Sequence, residues 1–178
     1  MKISYSKLSE NIKKNNGLVK VLNILDKAIT YITILFYSIY LLYAMFLYTG
    51  DSHTLLYRSI LIPGVSFILV SLFRKMVSSP RPYEVYDFEP AIKKDTVGKS
   101  FPSRHVFSIF IVAYTLLQTS LLLGIIVLIM GVILALIRVI GGVHFIKDVV
   151  AGAAIATIVA GICYGILCGV LNLIMLPF

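Results

Sequence analysis

A chain of 178 residues that is 59% apolar, with a mean hydropathy of +0.95, is greasier than a soluble domain, which is nearer half apolar. Its formal charge of +8 lies mainly in two places, +4 over residues 1–27 and +3 over residues 74–104. Neither is a basic stripe on a soluble face, which excludes nucleic acid as a partner and makes the first cluster a candidate for attraction to anionic lipid. Cys163 and Cys168 fall in the last apolar run without His or Cys partners at metal spacing, and read as small packing residues.

Residues 1–25 mix Lys, Asn and Ser with apolar side chains. Leu18, Val21, Leu22 and Leu25 share one helical face, so the segment is expected to be an amphipathic helix lying on the membrane. Residues 28–49 form the first expected span. The run is too long for a signal-peptide core, and no Ala-x-Ala-like site follows it, so it reads as a retained span. Further spans are expected at 55–73, with a kink at Pro63-Gly64, and at 104–120, 121–140 and 144–175. Between the second and third, residues 74–104 are polar and hold Pro80, Pro82, Pro90 and Pro102, the pattern of a functional loop. The fold class is therefore all-α: one polytopic membrane bundle over residues 1–178, with five or six transmembrane helices and an amphipathic start. The sixth crossing would come from residues 3–24. Gly161, Gly165 and Gly169 make a small-residue face that suits close helix contact, either within the chain or in a homodimer.

Three polar groups interrupt the apolar runs: Arg74 with Arg81-Pro82, then Pro102-Ser103-Arg104-His105, then Arg138 with His144 and Asp148. Charge at membrane depth or at its edge is costly and implies function. With five spans, the long loop and the Gly141-Gly142 turn fall on the same side, so the three groups can meet in one site. Four residues apart near a helix start, His144 and Asp148 share a face. A carboxylate on one imidazole nitrogen leaves the other lone pair free for nucleophilic attack. Arginine forks at Arg74, Arg81 and Arg138 suit phosphate oxygens. Ser103, at a helix start, can add a hydroxyl and backbone N–H groups to an anion site. His105 is placed to protonate a leaving oxygen. With guanidinium groups to neutralise the phosphoryl oxygens and no carboxylate cluster to hold magnesium, no metal or other cofactor is expected.

Arg74-x6-Arg81-Pro82, Pro102-Ser103-Arg104-His105 and Arg138-x5-His144-x3-Asp148 resemble, in order, the three motifs of the type 2 phosphatidic acid phosphatase family, which includes bacterial lipid phosphatases and vanadium haloperoxidases. The resemblance implies that His144 is phosphorylated, that Asp148 orients it and that His105 is the general acid. It also implies that Arg74, Arg81, Ser103 and Arg138 hold the phosphoryl oxygens. Three positions depart from the family: Arg74 replaces a lysine, Ile137 a serine, and Arg104 a glycine. Arg104 would add a cation to the pocket or narrow it.

The function expected is that of a multi-pass cell-membrane enzyme. It would hydrolyse a lipid phosphomonoester or diphosphate, with undecaprenyl diphosphate, phosphatidylglycerol phosphate and phosphatidic acid as family-implied substrates. The alternative is a non-catalytic protein that binds or transports a lipid phosphate, which would retain its ligand without releasing phosphate. The Lys-rich N-terminus points to the cytoplasm. Five spans would then put the site on that face, and six on the other.

Overall fold

The computed structural model describes residues 5–47, 53–92 and 97–166, and among these every regular element is helical. In chain order these are α1 (Tyr5–Lys13), α2 (Asn16–Leu47), α3 (His53–Val77), α4 (Pro82–Val85), α5 (Arg104–Leu117), α6 (Leu121–Ile140) and α7 (Ile146–Ala160), which runs on as a π-helical turn, Gly161–Ile166.

The N-terminal segment is not the single surface helix expected. It breaks at Lys14-Asn15, where the Asn15 side-chain oxygen accepts the Leu18 N–H at 3.1 Å and so opens a second helix. Residues 16–24 are consequently the first turns of the 32-residue α2, about 48 Å long at 1.5 Å per residue. Nor do the described residues of the 3–24 segment form a sixth crossing. The nine residues of α1 rise only about 14 Å, against about 30 Å of hydrocarbon. Instead α1 packs on protein. The Ser9 hydroxyl donates to the Glu89 carbonyl at 2.9 Å, Lys13 pairs with Glu89, and the Tyr5 ring sits against Tyr86 and Phe145.

Four helices among the described residues are long and apolar enough to cross a membrane, and they expose large apolar side chains that suit lipid contact. The fifth, α5, has 14 residues, stops at Leu117 rather than 120, and is the innermost, with Val106, Phe107, Ala113 and Leu116 fully buried. Ser120 caps α6 by accepting the Leu123 N–H. Pro63 does not end α3. Its missing N–H frees the Ser59 carbonyl, which accepts the Tyr37 hydroxyl of α2 at 2.5 Å, while Tyr40 and the Ser59 hydroxyl bond at 2.7 Å.

Two glycines set the site end of the bundle. Gly142 has φ +77°, which lets α6 turn sharply toward His144. Gly152 lets α7 press on the start of α5, since a Cβ there would lie 2.6 Å from the Ser103 carbonyl oxygen. By contrast, a Cβ on Gly161 or Gly165 would meet nothing within 4 Å; Gly169 and Cys168 lie outside the described residues. The N-terminal segment, the end of α3, the start of α5, the end of α6 and the start of α7 all gather at one end of the bundle.

Candidate active site

Each expected residue reaches this end from a different element. Arg74 lies in the last turns of α3, not in a loop, because the helix continues to Val77. Arg81 precedes α4 and is 1% exposed. Its Nη1 donates to the Val143 carbonyl at 3.0 Å and its Nε to the Gly98 carbonyl at 3.1 Å, tying the long loop to the α6–α7 turn. Glu84 fixes the same corner by accepting the backbone N–H groups of Arg81 (3.1 Å) and Gly98 (2.6 Å). Ser103 is the residue before α5. Its N–H donates to the Asp148 carbonyl at 2.8 Å, while its buried hydroxyl caps nothing and has no protein partner.

His144 is not in a helix, as its i,i+4 spacing from Asp148 suggested; it sits in the turn two residues before α7. The pair meets because the Asp148 carboxylate reaches back over the helix start. Asp148 Oδ2 accepts the Phe145 N–H at 3.0 Å and the Ser100 hydroxyl at 2.5 Å, and lies 3.5 Å from His144 Nδ1. Ser100 Oγ is itself 3.4 Å from Nδ1. This polar wall places the ring proton on Nδ1 and leaves Nε2, buried and unpartnered, as the lone-pair nitrogen. Burial and the nearby Arg81 and Arg138 charges push the His144 pKa down to about 4 despite Asp148, so the ring is neutral at physiological pH.

Arg138, at the end of α6, is 1% exposed. Its Nη2 donates to Asp26 Oδ2 at 3.0 Å, and its Nε lies 2.6 Å from Oδ1. Nη1 is left with no protein partner. His144 and Arg138 are joined directly, since the His144 N–H donates to the Arg138 carbonyl at 3.3 Å.

Arg104 and His105, in the first turn of α5, line two cavities that meet at them. One, of about 360 Å³, is bounded by Ser71, Arg74, Lys75, Arg81 and Lys99. The other, of about 300 Å³, is largely apolar and is bounded by α2, α3, α5 and α6 side chains including Ile34, Tyr37, Phe67 and Val112. The Arg104 guanidinium lies over the Phe67 ring, 5.3 Å from its centroid. All eight expected residues thus converge on one end of the bundle. Among the described residues, no three His, Cys, Asp or Glu side chains group as metal ligands.

The profile of the PAP2 superfamily matches residues 55–168, which include every one of these eight positions. The chain belongs to the PAP2 superfamily. No curated protein matches it. Solved structures share its architecture. The first transmembrane PAP2 type phosphatidylglycerolphosphate phosphatase, from Bacillus subtilis, is 22% identical with a TM-score of 0.64, over 92% of this chain and 84% of that one. LpxE from Aquifex aeolicus is 26% identical with a TM-score of 0.58, over 84% and 94%. As a PAP2 member, the chain is a multi-pass membrane hydrolase of phosphoric esters.

Sequence reading missed two residues of the site. Asp26, the partner of Arg138, lies outside the matched segment and by sequence falls within the basic N-terminal cluster. Its signal was there to find, because it is the one carboxylate in the whole of α2, and an ionisable group in a span calls for a partner. Ser100 carries no such signal. A serine two residues before Pro102 looks like any loop residue until the backbone bond from its N–H to the Ser79 carbonyl, at 2.8 Å, seats it beneath Asp148.

Proposed function

We propose that this chain removes a terminal phosphoryl group from a membrane lipid through a phosphohistidine intermediate. His144 Nε2 attacks phosphorus, and the bond from phosphorus to the leaving oxygen breaks. His105 donates a proton to that oxygen, and the lipid departs. Water then attacks the phosphohistidine, His105 acting as base, and inorganic phosphate leaves. Asp148, helped by Ser100, holds the ring tautomer and stabilises the positive charge that grows on it. Arg74, Arg81, Arg138, Ser103 and the first N–H groups of α5 hold the phosphoryl oxygens as their charge redistributes.

The observation that carries this reading is that the buried polar atoms without protein partners include Ser103 Oγ, Arg138 Nη1 and His144 Nε2. Their residues are tied together: the Ser103 N–H donates to the Asp148 carbonyl, the His144 N–H to the Arg138 carbonyl, and Asp148 lies beside the His144 ring. Two are donors and one is a lone pair, the set a phosphoryl group satisfies with its oxygens and its phosphorus. Leaving buried polar groups unpaired costs about 1–3 kcal/mol each, which favours a ligand that completes them. The apolar cavity on the far side of Arg104 and His105 suits the lipid tail.

The test is phosphate release from lipid phosphates in mixed micelles with chelator present. Wild-type chain is expected to turn over and to acquire acid-labile label from a phosphorus-labelled substrate. His144→Ala is expected to lose both at normal expression. Turnover without label on the protein, or turnover only with added magnesium, would refute the mechanism.

A further inference from the structure

We propose that α1 is a strap across the turn that carries His144, and that Tyr5 is a positioning residue for the His144–Asp148 pair. The role rests on the phosphatase reading. It adds to the site an element that lies outside the family-matched segment, residues 55–168.

The sequence sets up the strap. Tyr5, Ser9 and Ile12 recur at helical spacing and are the buried residues of α1, while Lys7, Glu10, Asn11 and Lys13 are exposed. A helix of nine residues is marginal alone in water, so α1 depends on what that buried face touches. Ile12 belongs to the buried cluster that also holds Ile92 and Val143. Ser9 and Lys13 both bind Glu89, which anchors the middle and the end of α1 to the long loop. Tyr5, in the first turn, is left to meet the segment between α6 and α7.

There it closes a group of three rings. Tyr5 and Phe145 lie edge to face with centroids 5.4 Å apart, and Tyr5 stacks on Tyr86 at 6.0 Å. Tyr86 and Phe145 are 6.3 Å apart. Three elements thereby meet: α1, the C-terminal cap of α4, and the α6–α7 turn. The Tyr5 hydroxyl also accepts the Ile146 N–H at 3.5 Å, one of the groups that a helix start leaves without an internal partner.

Phe145 is the residue through which this contact reaches the chemistry. It follows His144 directly, and its N–H donates to Asp148 Oδ2, the oxygen that lies 3.5 Å from His144 Nδ1. A backbone rotation at Phe145 would therefore move both the imidazole and the anchor of its carboxylate. The backbone of the turn is tied to Arg81 and Arg138 through Val143 and His144. The Phe145 side chain is tied through the rings to α1 and α4. Two ring contacts of this kind are together worth about a factor of ten in an equilibrium constant, and a misplacement of about 1 Å costs up to about 100-fold in rate.

The experiment uses the full-length chain in mixed micelles. Phosphate release from phosphatidic acid, phosphatidylglycerol phosphate and undecaprenyl diphosphate is measured together with hydrogen exchange of residues 143–149. Tyr5→Ala is expected to lower kcat about tenfold with KM within about twofold. Exchange over 143–149 should speed about fivefold or more, while α5 and the middle of α6 keep wild-type rates. Tyr5→Phe, which keeps the ring, should restore most of kcat. An unchanged kcat in folded Tyr5→Ala overturns the positioning role. So does faster exchange spread evenly over the bundle, which marks Tyr5 as a residue of general stability. Should Tyr5→Ala fail to fold, Tyr5→Leu, which keeps apolar bulk without an aromatic ring, is judged by the same criteria. If the wild-type chain releases phosphate from none of the three lipids, the phosphatase reading falls and exchange alone decides the strap. A rise confined to α1 and 143–149 then upholds it, and no rise refutes it.

Discussion

Asp26→Ala is the most informative single change outside the three motifs, because it acts on Arg138 without touching any of them. The pair is tightly enclosed: Asp26 is 8% and Arg138 1% exposed, with contacts of 2.6 and 3.0 Å. Removing the carboxylate leaves a buried guanidinium with no counter-ion and little water. Breaking a buried pair on one side costs about 3–5 kcal/mol. For a chain of this size, each kcal/mol moves Tm by about 2–4 °C, so a drop of roughly 6–20 °C is expected in detergent. A stability effect alone would not prove positioning. The two Asp26 contacts also set the plane of the guanidinium and hence the direction of Nη1, which has no protein partner and holds a phosphoryl oxygen in the proposed mechanism. Its loss is expected to cost about 1.5–3 kcal/mol of transition-state binding, or about 10–100-fold in kcat/KM, measured well below the lowered Tm. Asp26→Glu should recover part of the activity, and Asp26→Asn more of the stability than of the activity. In the double variant Asp26→Asn/Arg138→Gln, Tm should recover relative to Asp26→Ala while activity stays low. If Asp26→Ala leaves Tm within about 2 °C and kcat/KM within about threefold, the pair does not organise the site.

Four further outcomes follow from the geometry. Ser100→Ala removes the hydroxyl lying between His144 and Asp148 and should lower kcat about tenfold with little change in KM, whereas Ser100→Thr, which keeps the hydroxyl, should retain more; equal losses would make the residue one of packing only. His144 holds a pKa of about 4 when folded, against about 6.5 unfolded. The unfolded chain therefore binds the proton first as pH falls, and about 3 kcal/mol of stability present above pH 6.5 should be lost by pH 4. His144→Gln should flatten that part of the Tm–pH curve, and identical slopes would refute the shift. Gly152→Ala puts a methyl against the Ser103 carbonyl and should cost activity and about 1–3 kcal/mol of stability, whereas Gly161→Ala, in open space, should cost neither. Finally, cysteines placed singly at the exposed Glu89 and Thr119 should label from opposite sides of a sealed vesicle with an impermeant reagent, since the first lies at the site end and the second between α5 and α6 at the other. Labelling of both from one side would overturn the five-crossing arrangement.

Much of the fold was legible because lipid imposes a coarse rule. Apolar runs of sufficient length must be helical, and their number fixes which ends meet, so the span count alone brings Arg74, Arg81, Arg138 and His144 to one face. What composition could not supply was the boundary between interfacial and spanning helix. Residues 16–24 carry Lys20 and Asn23, which argue against a span. Yet the Asn23 amide donates to the Val19 carbonyl of its own helix and to the Ala91 carbonyl of the long loop, so its polarity serves a contact with protein and not with water. The i,i+4 spacing of His144 and Asp148 misled for a related reason. It matches a helical face, but the contact is made by a carboxylate folding back over a helix start, a geometry that periodicity does not encode.

The motifs show three islands of polar residues, while the structure shows that the first and third are held by residues outside them. Arg138 is held by Asp26, His144 by Ser100 together with Asp148, and Arg81 by the backbone of Gly98 and Val143. These supports come from α2, the long loop and the α6–α7 turn, so a site of a few polar side chains draws on most of the chain. Such dependence has a physical cause. A guanidinium or imidazole at the edge of an apolar bundle has few waters to orient it, and only fixed neighbours can aim it. Substitutions at the supports should therefore act on the motif residues they hold, with Asp26 moving phosphate affinity and Ser100 moving the chemical step. If both changed the same kinetic constant by the same factor, the supports would be acting on the fold as a whole and not on separate parts of the site.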